Sequence, residues 1–277
     1  MAALAYASPL EKMWYYLHRV ICGAVLLFLV APILVIIPLS FNSVPFFTYP
    51  MSGFSFRWYE EFFLSARWQN GLQNSVFIAV IATLLSTVLG TLAALGLSRP
   101  NFPWRAAVLS ILISPMIVPT IITGVAVYFL YAYVGLVNSY TGLILAHTTV
   151  ATPFVVITVS ATLVGFDNSL VRAAAGLGAP PITVFFKIIL PLIFPGMIAG
   201  ALFAFATSFD EVVIALFVAG PQQRTMPLVM FTGIKEQISP TILATATVLV
   251  LFAIAMLTTV ELLRRRSERL RGIQNTL

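Results

Sequence analysis

The residues able to do chemistry are few, and two of them adjoin. Asp210 and Glu211 follow the charge-free run Ile188–Phe209, and Val212–Ala219 is apolar again. The pair therefore interrupts an apolar stretch. Counted from Pro191 it lies roughly 28 Å along a helix at about 1.5 Å per residue. That is near the far end of a membrane crossing. Ionisable groups at such depth are expensive and usually face a cavity or a partner. Phe209 precedes them and Phe217 follows about two turns later. Carboxylates beside aromatic faces suit an ammonium cargo through charge and cation–π attraction. The alternative is an ion pair with Arg224 or with another chain. Adjacent helical positions point about 100° apart, so both carboxylates cannot line one face equally.

The remaining reactive side chains suggest no catalyst. Cys22 is the single cysteine, so neither an intrachain disulfide nor a cysteine-based metal site is possible. His18 and His147 are far apart in sequence, and His147 has Thr148, Thr149 and Thr152 as neighbours. A buried, hydrogen-bonded imidazole is the expectation there. Met226 and Met230 read as packing residues. No His-Glu-x-x-His, nucleotide-cradling Gly-x4-Gly-Lys or Gly-x-Ser-x-Gly is present. Gly176-Leu177-Gly178 runs into Ala-Pro-Pro and is no dinucleotide fingerprint. An enzyme is not expected, nor a cofactor bound by this chain.

Composition decides what must position these residues. Of 277 residues, 60% are hydrophobic and 9% charged, with a mean hydropathy of +1.01. Soluble domains are about 25% charged, and disorder needs the opposite bias. The chain belongs in a bilayer. Its net charge of +6 would suggest nucleic acid in a soluble protein. Here the basic residues sit at the ends of apolar runs, so membrane topology explains them and no nucleic acid is implied.

Charge-free stretches then define the spans. A crossing needs about 20 apolar residues, and Ala106–Phe166 as one helix would be roughly 90 Å long. It must fold back, and Gly135-Leu-Val-Asn-Ser139 is the natural turn. The expectation is an all-α integral membrane protein of six helices, at about 17–41, 73–98, 106–134, 140–165, 188–216 and 240–263. Residues 1–16 form a short leading segment, 17–263 the membrane domain, 167–187 an exposed loop and 264–277 a basic tail. Six spans put both ends on one side. That side holds eleven of the Lys and Arg residues, the other only Arg57, Arg67, Arg224 and Lys235. The bias places both termini in the cytoplasm. The tail arginines at 264–266, 269 and 271 suit anionic lipid headgroups. Outside, the aromatic-rich stretch 39–73 suits the headgroup level, with Arg57–Trp68 expected as an interfacial helix. Pro115 and Pro119 should kink span three.

The loop between spans four and five has a definite grammar. Asp167, Asn168 and Ser169 are good N-caps. Leu170–Leu177 can form two turns, and Gly178 suits a C′ position at positive φ. Pro180-Pro181 then stops the helix and starts the next. A short helix is thus displayed outside the membrane, joined to span five by a stiff elbow. Span five carries the small-residue stripe Gly196, Gly200 and Ala204, suited to tight packing.

The pattern Arg172-Ala173-Ala174-x3-Gly178-x9-Ile188-x-Leu190-Pro191 resembles the EAA loop of binding-protein-dependent ABC importer permeases, E-A-A-x3-G-x9-I-x-L-P. Only the first position departs, where Arg172 stands in place of glutamate. Phe54–Tyr59 and Asn74-Ser75 are also similar to this family. Ser208–Val213, Gly220-Pro221, Thr225–Leu228 and Ser239-Pro240 resemble the spermidine/putrescine branch, and there the second of two permease subunits. The resemblance implies a type I ABC importer bundle in the cell inner membrane, whose loop is a coupling helix docking in a groove of a separate ATPase. Arg172, Ala173, Ala174, Leu177, Gly178, Ile188, Leu190 and Pro191 would carry that coupling. Phe209, Asp210 and Glu211 would line the cargo path. The implied partners are a second permease subunit, two copies of the ATPase holding ATP and Mg, an external substrate-binding protein and membrane lipid. Two rival readings are an ABC permease for another small organic solute (an opine, aminoalkylphosphonate or amino acid derivative) and an ion-coupled secondary transporter using Asp210 and Glu211.

Overall fold

A bilayer leaves a backbone only its own chain to bond with, and long apolar runs satisfy that demand as helices. The structure, a computed structural model, describes residues 8–99, 102–236 and 238–270, with 260–270 as backbone alone. The elements are α1 (Pro9–Leu39), α2 (Arg57–Leu64), α3 (Ala66–Leu97), α4 (Arg105–Ile117), α5 (Thr120–Val134), α6 (Tyr140–Val164), α7 (Asn168–Gly176), α8 (Pro181–Val184), α9 (Leu190–Asp210), α10 (Val213–Val218), α11 (Met226–Glu236) and α12 (Thr241–Leu270). A π-helical turn, Phe185–Ile189, joins α8 to α9. Among the described residues five helical stretches are long and apolar enough to cross a membrane, and α4 with α5 makes a sixth if that bent pair is one span. The expected tail at 264–277 and leading segment at 1–16 fall in part, at 271–277 and 1–7, outside the described residues.

The chain divides into two units, residues 65–232 and residues 1–64 with 233–277. In the first, α3, α6 and α9 pack around Ala94, Ala151, Val155, Val159, Ile193 and Ala204. Their closeness depends on missing side chains. A Cβ on Gly90 would stand 2.7 Å from Val155 Cβ, and one on Gly200 2.9 Å from Val155 Cα. One on Gly196 would collide with Thr162. The small-residue stripe of span five thus faces α6. A second core joins α10 to α5 and α6, through Ile214, Ala215 and Val218 against Tyr131, Leu143, Ala146 and Val150.

In the other unit α1 begins with a capping box, in which Ser8 and Glu11 satisfy each other's backbone N–H. None of the residues of α1 is buried. Beyond it, Phe41, Phe54, Phe56 and Tyr59 form a ring cluster. The buried Trp58 donates its indole N–H to the Asn42 carbonyl at 2.6 Å, and Thr241 of α12 donates to Glu61 of α2 at 2.9 Å.

The helices expected at 17–41, 73–98 and 240–263 run over Pro9–Leu39, Ala66–Leu97 and Thr241–Leu270, and three further elements depart in kind. The helix expected at Arg57–Trp68 ends at Leu64, because Ser65 is extended, and Trp68 belongs to α3. The span expected at 106–134 is two helices bent by 104°. Pro119 has no N–H and disfavours the α conformation in the residue before it, and Val118 is accordingly extended at ψ 132°. The span expected at 188–216 starts earlier, at Pro181, and stops at Asp210; Glu211 is extended at ψ 113° before α10 begins. Before Pro191 the helix widens into the π turn, in which the Leu190 N–H reaches back to the Phe185 carbonyl.

Candidate functional site

Two places gather the chemistry, one at each end of α9. At the near end, Asp167 caps α7. Its carboxylate accepts the Ser169 backbone N–H at 2.8 Å and the Ser169 hydroxyl at 2.6 Å. These bonds, the hydroxyl's first, and then the charge of Arg172 hold its carboxyl below the usual aspartate value. At the other end of α7, Gly178 sits at φ +81°, the left-handed conformation that closes a helix. The N–H groups of Leu177, Gly178 and Ala179 return to the carbonyls of Ala173, Ala175 and Ala174. Arg172, Ala173, Leu177 and Gly178 are exposed and Ala174 half-buried. Leu177 is 89% exposed and Leu170, two turns earlier on the same side, 45%. Leu170, Ala173, Ala174 and Leu177 thus follow i, i+3, i+4, i+7 spacing on one face, an apolar patch rimmed by Arg172. Leu170 lies before the motif and the 73%-exposed Ile182 at one of its unspecified positions; helical spacing would have found Leu170. Ile188 and Leu190 are half-buried and Pro191 exposed, so this part of the motif lies in the stem and not in the displayed patch.

At the far end the acidic pair divides its work. Glu211 turns its carboxylate back onto α10 and accepts the N–H groups of Val213 and Ile214 at 2.8 and 2.9 Å. It is a helix cap. Asp210 is exposed and has no hydrogen bond or ion pair among the described residues. Neither carboxylate pairs with Arg224. Phe209 stacks on Phe205 at 5.6 Å between centroids, a turn earlier. Phe217 packs instead against Gly124 of α5, where a Cβ would approach it to 2.8 Å. The structure therefore leaves Asp210 exposed at the end of α9, just after the stacked Phe205 and Phe209, while Glu211 caps α10 and Phe217 packs on α5.

His147 is fully buried, and its Nδ1 meets the Ser208 hydroxyl at 2.9 Å. The threonines beside it bond their own helix: Thr148, Thr149 and Thr152 donate to the carbonyls of Ile144, Leu145 and Thr148. Sequence proximity pointed to those threonines; the partner lies 61 residues away.

Separate motifs also meet beyond α10. Asn74 of α3 donates to the carbonyls of Gln222 and Arg224 at 2.8 and 3.0 Å, and the Tyr140 hydroxyl donates to Asn74. Ser75 accepts the Met226 N–H at 2.7 Å. Gly220 leaves room for Asn138, to which a Cβ would stand 2.9 Å away. The loop between α10 and α11 is thereby fastened to the starts of α3 and α6.

Helices of membrane length, with a capped helix on the connection between two of them, define an integral membrane protein of the all-helical class. The chain belongs to the family of binding-protein-dependent transport system inner membrane components, whose profile matches residues 86–271. It is an ABC importer permease by that membership. It is 34% identical to the spermidine/putrescine transport system permease protein PotC of Haemophilus influenzae, over 91% of this chain and 98% of that one. It is 35% identical to the putrescine transport system permease protein PotI of Escherichia coli, over 89% and 91%. Among solved structures, a bacterial ABC transporter importing the acidic polysaccharide alginate shares the fold at a TM-score of 0.70 and 15% identity, covering 94% of this chain and 98% of that one.

Proposed function

We propose that this chain is one of two different permease subunits of an ATP-driven importer for polyamines. The observation that carries the cargo class is its similarity along nearly the full length to permeases named for spermidine and putrescine. The chemistry agrees in kind: Asp210 is exposed and follows directly on Phe209 in the chain, and an ammonium group is attracted both by a carboxylate and by ring faces. Half of the translocation path belongs to this chain and half to its partner permease. An external binding protein delivers cargo. Two copies of an ATPase subunit bind ATP and Mg, and this chain binds neither.

Coupling runs through α7. The patch of Leu170, Ala173, Ala174 and Leu177 enters the ATPase groove, and Arg172 meets an acidic residue there. Motion of α7 passes through α8 and the π turn into α9, whose far end carries Asp210. Residues 17–263 form the permease domain of the inner membrane, with both termini cytoplasmic.

The test is reconstitution of the chain with its partner subunits in proteoliposomes. ATP-dependent uptake of labelled spermidine or putrescine is expected, and Asp210→Asn should raise KM about tenfold or more, a loss of about 1.4 kcal/mol in binding. Uptake driven by an ion gradient without ATP would refute the coupling. ATP-driven uptake of amino acid derivatives but not of polyamines would refute the cargo.

A further inference from the structure

We propose that His147 is a positioning residue for Asp210: through Ser208 it fixes the last turn of α9, so that the Asp210 carboxylate meets the cargo's ammonium in one orientation. The inference rests on the reading of Asp210 as a cargo-path residue.

The helix gives Asp210 little support of its own. α9 stops there, Glu211 is extended, and α10 starts only at Val213. The last carbonyls of a helix have no intrahelical partner, so a terminal turn is held by whatever grips its side chains. Two grips are present, and α6 supplies one side of each. Ala146 packs in the same core as Ile214 and Ala215 of α10. The next residue, His147, bonds Ser208, two residues before Asp210. Glu211 is tied by its cap to α10. Asp210 is thus the residue between two anchored points, with α6 as the splint across the break.

The Ser208 hydroxyl is dedicated to this contact. It is 3% exposed, and its oxygen makes no bond to a carbonyl of its own helix, unlike the hydroxyls of Thr148, Thr149 and Thr152. The histidine is not there as filler either. Its Nε2 is buried without a hydrogen-bond partner among the described residues, a desolvation cost that a leucine of similar volume avoids. What the imidazole contributes in return is the Nδ1 contact to Ser208.

Four variants of the complete importer in proteoliposomes test this, with labelled spermidine as cargo. Asparagine places a polar side-chain atom near the position of Nδ1, and leucine does not. His147→Leu and Ser208→Ala should each raise KM about fivefold or more while leaving Vmax within about twofold, and His147→Asn and Ser208→Thr should bring KM back to within about twofold of the parent. In an Asp210→Asn background His147→Leu should raise KM no further, because the two changes act on one interaction. Ser208→Ala removes a single oxygen, so it gives an answer even if His147→Leu fails to assemble. KM unmoved by Ser208→Ala, while Asp210→Asn raises it, would overturn the positioning role alone. So would a fall in Vmax at constant KM in both single variants. If Asp210→Asn leaves KM unchanged, the cargo-path reading fails first and this inference goes with it.

Discussion

Asp210 and Glu211 are chemically similar neighbours with different occupations. The exposed carboxylate of Asp210 is free to meet a ligand, whereas Glu211 is committed to two backbone N–H groups of α10. Their substitutions should separate accordingly. Glu211→Ala removes a cap and should cost about 0.5–2 kcal/mol of stability; Asp210→Ala should stay within about 0.5 kcal/mol. Thermal unfolding of the two purified variants in detergent checks this, and an equal fall in both would contradict the division. The sequence made the pair conspicuous, since two carboxylates in an apolar run have few innocent explanations. It did not reveal which of the two was occupied. That depends on a break in the helix after Asp210, and Ser-Phe-Asp-Glu-Val-Val contains no proline or glycine to announce one. The same blindness applies to His147, whose partner is set by the packing of α6 on α9 and not by local spacing.

At the scale of elements, what was legible depended on whether the cause was local. A cap among Asp167, Asn168 and Ser169 and a positive φ at Gly178 follow from residue types; the structure takes Asp167, so α7 runs Asn168–Gly176 and not 170–177. The break between α4 and α5 has a proline at it, yet its size, 104°, exceeds a kink because Val118 and Pro119 both leave the helical conformation. The packing of α6 against α9 is anticipated by the spacing of Gly196 and Gly200, although not the partner that fills the groove. That contact makes a sharp prediction. A side chain at 200 must displace Val155 backbone 2.9 Å away, so Gly200→Leu should destabilise by about 1–3 kcal/mol or more through overpacking. The readout is the yield and melting temperature of the assembled permease. Gly178→Val is a contrasting case: nothing lies within 4 Å of a Cβ there, so only the left-handed backbone resists it, at roughly 1–2 kcal/mol.

For the whole molecule, the distribution of charge makes a prediction about the direction of insertion. Eleven Lys and Arg residues on one side against Arg57, Arg67, Arg224 and Lys235 on the other predict a cytoplasmic α7 and an external loop between α10 and α11. Cys22 is the only cysteine, so Cys22→Ser supplies a thiol-free background. In right-side-out vesicles, Gln222→Cys should react with a membrane-impermeant maleimide and Ser169→Cys should not, until the membrane is opened. The reverse pattern would invert the topology. The all-helical membrane class and most of the long apolar helices were readable from hydropathy, and the class of protein from one motif, because both are properties of contiguous sequence. Where the helices break was not, because that is decided between segments.

Between α6 and α9 there is too little space for a methyl group at Gly196 or Gly200, and α7 is the bend that connects them. The three therefore behave as a hairpin whose prongs are fused near the bend. Prongs held that close leave no slack between them, so a methyl group added at 196 or 200 could enter only by splaying the hairpin from within.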